Sequence, residues 1–79
     1  FEQLKKSDTE ALAVWINQLD DRIRHSYEFA LNHSIEEYVS HLEKNEAGLD
    51  LPEKWVAQTL LFGFVDGVIV GTLFIRHSL

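Results

Sequence analysis

Apolar residues recur at helical spacing early in the chain. Five of them fall on one stripe: Leu12, Trp15, Ile16, Leu19 and Ile23. Positions three, four, seven and eleven apart share one face of an α-helix, so this stripe predicts an amphipathic helix with Trp15 in the core. Ser7 and Glu10 match a capping box, in which two side chains satisfy free backbone N–H groups. We predict a first helix over residues 8–25, with an end that later apolar residues leave open.

A second helical pattern follows after a short connection over Tyr27–His33. Ser34 and Glu37 repeat the capping box, and a new apolar stripe continues from it: Ile35, Tyr38, Val39 and Leu42. Gly48 fits the position just beyond a helix, where a positive φ costs glycine little. We predict a second helix over residues 35–47.

The pattern changes from helical to extended in the last third of the chain. Thr59–Val65 and Val68–Ile75 are runs of β-branched, aromatic and other apolar residues that flank Asp66-Gly67. An Asp-Gly pair favours the type I′ turn of a two-residue hairpin. We predict an antiparallel hairpin whose strands are apolar on both faces, and two short helices cover one face at most.

Two further segments complete the predicted fold. Phe1–Leu4 alternates apolar and polar residues and predicts a short strand. Leu49–Gln58 is predicted as a loop, because Pro52 excludes a continuous helix there. The fold class is therefore α/β of the α+β kind, with a short N-terminal strand, two helices and an antiparallel hairpin in one domain over residues 1–79.

Composition narrows the classes of function. The chain has 46% apolar and 25% charged residues, no Cys, and 7 Lys plus Arg against 13 Asp plus Glu, for a net charge of −6. These values exclude a disulfide framework and a thiolate metal site, and they disfavour nucleic acid or an anionic membrane as partners. The longest apolar run is far too short to span a bilayer. We predict an acidic, soluble domain of the cytoplasm.

Few side chains form a chemically suggestive pattern. His33, Glu37 and His41 are four residues apart, which is a spacing that brings metal ligands together on a continuous helix. A solvated helix face is the favoured interpretation, because His33 precedes the predicted helix. Ser–His neighbours in sequence are not evidence of a catalytic pair, because the base must approach the hydroxyl in three dimensions. Trp55 is predicted either to cover the sheet end or to line a cleft.

The hairpin carries a resemblance to a known family. Its residues follow the pattern "VDG-x-I-V-G" leading into "IRH-x-L": Val65, Asp66, Gly67, Ile69, Val70, Gly71, Ile75, Arg76, His77 and Leu79. With the order strand, helix, helix, loop, hairpin, the chain resembles the N-terminal half of GNAT (GCN5-related) N-acetyltransferases, and bacterial members in particular. The resemblance spans nearly all 79 residues and is most specific in the hairpin. Ala57 departs from the Pro often found after Val in related chains.

The resemblance implies an activity for the parent protein. It implies transfer of an acetyl group from acetyl-CoA to an amine of a small molecule or peptide, by direct attack on the thioester. The family's pyrophosphate loop, of the type Arg/Gln-x-x-Gly-x-Gly/Ala, has no counterpart here, and neither have its catalytic acid and base. The resemblance therefore implies a fragment, the N-terminal half of the domain, that is inactive alone and contains no catalytic, cofactor-binding or metal-binding residue.

Acceptor-side residues are the remaining candidates for a site. The connection between the first two helices often borders the acceptor in the family, which makes Tyr27 and Phe29 candidate substrate-binding residues, with Arg76 and His77 at the strand end as two others. Packing roles remain open for all four. The alternative function is a small, non-enzymatic interaction module. In either case the uncovered strand over residues 68–75 predicts self-association, as in a dimer.

Overall fold

The computed structural model describes residues 1–51 and 55–78. Four α-helices precede two β-strands: α1 Thr9–Asn17, α2 Asp21–Arg24, α3 Glu28–Asn32, α4 Ile35–Glu46, β1 Trp55–Val65 and β2 Val68–Ser78. The predicted combination of helices with an antiparallel hairpin is confirmed. Pro52 and Leu79, which entered the predictions above, lie outside the described residues.

The hairpin forms where its sequence predicts it and extends further at its open end. Asp66 and Gly67 have φ values of 51° and 77°, as a type I′ turn requires, and Val65 pairs with Val68 across it. The segment Trp55–Gln58, predicted as part of a loop, belongs to β1. Trp55, Ala57 and Gln58 join the ladder because β2 also runs beyond the predicted end at Ile75, to Ser78, and supplies their partners, while Val56 is an extra residue at a register shift.

A bulge in β2 sets which side chains share a face of the hairpin. Phe64 pairs with Ile69, whereas Gly63 pairs with Gly71, so Val70 is the extra residue. A bulge of one residue shifts the alternation of side chains beyond it. Ile69 therefore lies on the same face as Phe64 even though the rest of β2 follows the opposite parity.

The predicted N-terminal strand is reduced to a single bridge. Glu2 N donates to Phe62 O at 2.8 Å, and Phe62 N donates to Glu2 O at 2.6 Å. The pairing is antiparallel and lies on the edge of β1 that does not carry β2. It ends at once because the chain turns at Lys6 into a 3-10 helical turn that leads to α1.

The predicted helix over residues 8–25 is wrong in its length, because α1 ends at Asn17 and a separate helix follows. The Asp20 carboxylate accepts hydrogen bonds from Arg22 N at 3.0 Å and Ile23 N at 3.1 Å. This is the geometry of a helix N-cap, so a new helix, α2, begins after Asp20 and α1 does not continue through it. Ile23, assigned by its spacing to the buried stripe, is consequently 51% exposed.

The predicted capping box at Ser7 does not form. Ser7 lies inside the 3-10 turn Lys6–Asp8, and it is Asp8 whose carboxylate accepts from a free amide, that of Lys5, at 2.8 Å. The N-cap of this turn is Lys5, two residues before the predicted cap. Asp8 thus takes the role that the sequence pattern gives to Glu10, that of reaching back to the amide of the N-cap residue.

The connection predicted over Tyr27–His33 is also wrong, because most of it is helical. His25–Tyr27 form a 3-10 turn and α3 follows directly over Glu28–Asn32. His33 then takes an extended conformation with φ −138° and ψ 167°, which ends α3. A single extended residue and the Ser34 cap therefore separate α3 from α4.

Helix α4 begins at Ile35, as predicted, and ends at Glu46, one residue before the predicted end at residue 47. The Ser34 hydroxyl accepts from Glu37 N at 3.2 Å, and the Glu37 carboxylate accepts from Ser34 N at 3.3 Å, which confirms the capping box. At the other end, Gly48 N donates to Asn45 O at 3.1 Å and Leu49 N donates to the carbonyl of Lys44 at 2.7 Å. This pair of bonds is a Schellman motif, and Gly48 has the positive φ of 87° that the motif requires.

The core lies between the helices and one face of the hairpin, here called the inner face. It consists of Leu4, Leu12, Ile16, Tyr27, Tyr38, Val39, Leu60, Phe62 and Ile69. Trp15 packs against this cluster, as predicted. The opposite, outer face of the hairpin carries exposed apolar side chains: Val65, Val68, Val70, Leu73 and Ile75. The prediction that the helices cover one face at most is therefore confirmed.

Candidate functional site

The four predicted substrate-binding residues occupy different environments. Tyr27 is 2% exposed and its hydroxyl lies 3.1 Å from the hydroxyl of Thr72 on β2. This contact ties the start of α3 to the hairpin, and it places the ring within the core in this conformation. A role in binding an acceptor stays a prediction for Tyr27, and a packing role is what its burial supports.

Phe29 lies at the centre of a stack of three rings. The His33 imidazole is 3.9 Å from its ring centroid at an interplanar angle of 8°, and the His41 imidazole is 4.0 Å away at 9°. Two rings this close and this parallel do not fit on the same face of one phenyl ring, so the imidazoles lie on opposite faces. Tyr38 is farther away, at 6.3 Å between centroids. Both faces of Phe29 are thereby covered.

Arg76 is held in place on the inner face at the open end of the hairpin. Its Nε donates to Gln58 Oε1 at 2.8 Å, across the ladder from it. The guanidinium carbon lies 4.8 Å from the centroid of Phe74 and 5.5 Å from that of Trp55. Such cation–π contacts with a planar guanidinium fix its orientation while the side chain stays exposed. Trp55 is the first residue of β1 and pairs with Ser78, so it lies within the open end of the sheet, and its two predicted roles stay predictions.

His77 points away from this cluster. It follows Arg76 directly in an extended strand, so its side chain lies on the other face of the hairpin. It is exposed and pairs with Ala57 across the ladder. The structure therefore does not bring the four predicted residues together: Tyr27 and Phe29 belong to the helical layer, and Arg76 and His77 to opposite faces of one strand end.

The histidines and carboxylate considered for a metal do not surround a common point. His33 lies outside α4, and the phenyl ring of Phe29 separates it from His41. The Glu37 carboxylate is engaged by the backbone N–H and hydroxyl of Ser34, and these hydrogen bonds are the main cause of its lowered pKa. Residues 1–51 and 55–78 contain no group of three His, Asp or Glu side chains that could hold a metal ion.

Two depressions lie beside the predicted residues of the helical layer. An open one of about 350 Å³ lies beside His41, and its lining includes the polar residues Ser40, Lys44 and Asp50. A groove of about 250 Å³ with mostly apolar lining residues runs between α1 and the α3–α4 pair, where Tyr38 contributes to its lining. Burial is the main cause of the raised pKa of the Tyr38 phenol, with Tyr27 adding to it. This hydroxyl therefore remains protonated across the physiological pH range.

The described residues show no arrangement for nucleophilic catalysis. Among their hydrogen bonds none joins a serine hydroxyl to an imidazole; the imidazoles of His25 and His41 instead lie 3.8 Å and 4.0 Å from the carboxylates of Glu28 and Asp50. The stack around Phe29 was not predicted from sequence. Nor were the contacts of Arg76 with Gln58, Phe74 and Trp55, here called the clamp. Cross-strand pairing of Gln58 with Arg76 would have indicated the clamp, had Gln58 been assigned to a strand.

Comparison of the chain with protein-family models, with curated proteins and with solved structures gave no significant match. In the part of the chain that the structure describes, no helix combines the length and the hydropathy needed to cross a bilayer.

Proposed function

We propose that this chain is the N-terminal half of a GNAT-like N-acetyltransferase domain. Its parent protein would transfer an acetyl group from acetyl-CoA to an amine of a small molecule or peptide in the cytoplasm. The observation that carries the proposal is the arrangement of the strands. The N-terminal segment pairs with β1 at Phe62, β1 pairs with β2, and the helices between these strands cover one face of the sheet.

This arrangement agrees with the order of elements that the resemblance implies. It also leaves two surfaces on which the rest of such a domain would be built. One is the second edge of β2, which no described strand pairs. The other is the outer face, where Val65 and Val70 are more than half exposed. A further strand at that edge and a helix on that face would bury the apolar side chains that the present helices leave open.

The described residues do not fit coenzyme A by themselves. A pyrophosphate site of the expected kind needs free backbone N–H groups at the start of a helix, with glycines before it. The N-terminus of α4 is instead closed by Ser34 and Glu37. The proposal therefore assigns cofactor binding and catalysis to the other half, and to this chain the acceptor side, with Arg76 as its preoriented, exposed cation.

Two measurements test the proposal. The coding sequence beyond Leu79 should continue for about 60–100 residues, in line with ordinary domain sizes, and contain the glycine-rich pyrophosphate loop. The product of the whole reading frame should release coenzyme A thiol from acetyl-CoA when amines are supplied, whereas the 79-residue chain should neither turn over nor bind coenzyme A tightly. Tight binding by the 79-residue chain, or a reading frame that stops at Leu79, would contradict the proposal.

A second candidate function is favoured by the outer face itself. Its exposed Val and Leu side chains and the open edge of β2 fit a module that self-associates by strand addition over residues 68–75. Sedimentation of the chain at increasing concentration should then show a dimer. The double substitution Val70→Lys and Leu73→Lys should abolish it, whereas Glu36→Gln, on an exposed position of α4 that borders no hairpin residue, should not. A chain that stays monomeric at high concentration would rule this function out.

A further inference from the structure

The stack of His33, Phe29 and His41 brings the side chains of three consecutive segments of the chain into contact. Phe29 belongs to α3, His41 to α4, and His33 to the extended residue between them. The His33 imidazole also shares a hydrogen bond between its Nδ1 and the Phe29 carbonyl at 2.9 Å. Helix α3 has five residues, too few to be stable without tertiary contacts. The ring of Phe29 thus attaches α3 both to His33 and to α4.

The two imidazoles differ in their surroundings. The His41 side chain is 23% exposed, and its Nδ1 lies 4.0 Å from the Asp50 carboxylate. The burial of this imidazole lowers its pKa; Asp50 opposes the change, and Lys44 and His33 add to it. The remaining charged groups on this side of α4 are Glu36, which borders the same depression as His41, and Glu37, whose carboxylate is engaged at the helix cap. The neutral form of His41 is therefore the one that the closed stack favours.

Protonation changes the balance of forces in the stack. A phenyl ring attracts a cation over its face, so one charged imidazole on Phe29 is tolerated. A charge on His41 must also lose hydration because of its burial, and the neighbouring Lys44 and His33 both disfavour it. The carboxylate of Asp50 is at the limit of ion-pair distance and compensates in part.

We propose that the His33–Phe29–His41 stack is a proton-sensitive latch that holds α3 against α4 at neutral pH and loosens when the solution is acidified. The direction of the pH effect follows from the linkage between proton binding and stability. A histidine with a lowered pKa in the folded state contributes full stability above its pKa in the open state, about 6.5, and loses that contribution as the pH falls through this region. Opening of α3 would uncover Tyr38 and the apolar groove beside it.

Amide hydrogen exchange of residues 28–33 tests the latch. After correction for the intrinsic exchange rate, the protection of these amides should fall severalfold between pH 7.5 and pH 5.5, while that of α4 stays nearly constant. The substitution His41→Phe keeps a ring on Phe29 but takes up no proton, so it should remove the pH dependence. His77→Gln, which alters an exposed histidine of β2, should leave the pH dependence as it is in the unsubstituted chain.

A pH-independent protection of residues 28–33 in the unsubstituted chain would overturn the proposal, as would the same pH dependence in the His41→Phe variant. A second measurement avoids reliance on the folding of that variant. In the unsubstituted chain, the NMR shifts of the Phe29 ring protons should titrate with the midpoint of His41. Phe29 ring-proton shifts that stay constant while His41 titrates would show that the stack does not respond to the charge of His41.

Discussion

The inner and outer faces of the hairpin carry the same types of residue in opposite environments. On the inner face Phe62 is fully buried and Leu60 and Ile69 are nearly so, whereas Val65 and Val70 on the outer face are 58% and 60% exposed. Both sets are β-branched, aromatic or aliphatic side chains on the same two strands. Strand propensity therefore formed the hairpin, and the position of the helices decided which of its faces became the core.

The bulge at Val70 is what keeps the two faces distinct near the turn. Because Val70 is unpaired, Ile69 and Thr72 lie on one face although they are three positions apart. Without the extra residue, a strict alternation would move Ile69 or Thr72 to the outer face. The hydroxyl contact between Thr72 and Tyr27 and the burial of Ile69 thus depend on one irregular residue.

The largest expected effect is the difference between truncating a side chain on the inner face and truncating one on the outer face. Phe62→Ala should lower the free energy of unfolding by about 3–5 kcal/mol, because it opens a cavity in a fully buried site. For a chain of this size that loss approaches the whole stability. Val70→Ala, the matched truncation on the outer face, should change it by about 0.5 kcal/mol or less. Urea unfolding followed by circular dichroism measures both, and equal losses would contradict the assignment of the faces.

An intermediate effect is expected from adding a methyl group instead of removing side chains. A Cβ on Gly48 would lie 2.5 Å from the carbonyl oxygen of Val56, at a φ of +87°. Gly48→Ala should therefore cost about 1–3 kcal/mol of unfolding free energy. On the outer face, a Cβ on Gly71 would meet nothing within 4 Å. Gly71→Ala should be close to neutral in the same assay, and a penalty as large as that of Gly48→Ala would show that this face is covered in solution.

The smallest effect concerns a single polar contact at the inner face. Tyr27→Phe removes the hydroxyl that contacts Thr72 and should cost about 1 kcal/mol. Thr72→Ser keeps a hydroxyl at this position, so it should retain the contact and serves as the control. In a double-mutant cycle with Thr72→Val, the two losses should not add, because both remove the same hydrogen bond. Additive losses would mean that the hydroxyls do not interact.

Local signals in the sequence were sufficient for α4 and for the turn. Both ends of α4 are specified by short-range hydrogen bonds of Ser34, Glu37 and Gly48, and the Asp66-Gly67 turn by backbone conformation at two residues. Such interactions depend on residues within a few positions of each other. They were therefore readable without knowledge of the tertiary structure.

The helical segment before α4 was predicted less well because two interpretations of the same residues compete. Ile23 continues the apolar stripe of α1, but Asp20, three residues before it, favours a new helix start because its side chain can cap a helix. The structure follows the cap. The Arg24 side chain supports this break by donating from Nη2 to the carbonyl of Leu19 at 3.0 Å. A periodic stripe thus gave way to local hydrogen bonds of a single aspartate and a single arginine.

The candidate sites depend on tertiary geometry that spacing does not encode. His33 lies four residues after Phe29 and eight before His41, yet the stack requires the angle between α3 and α4 that the extended His33 creates. Arg76 is oriented by Trp55 and Gln58 across the ladder, and this register extends beyond the predicted strands. These contacts follow from how the elements pack, which the sequence pattern alone left open.

The bridge between Glu2 and Phe62 has a consequence for the order of folding. The hairpin and the helices form from residues close in sequence, so their closure entropy is small and their formation is fast. The bridge closes a loop of roughly 60 residues, for which the entropic cost is larger and the return is two backbone hydrogen bonds. We therefore expect the N-terminal segment to dock last, onto a preformed hairpin, and its pairing to report the final step of folding.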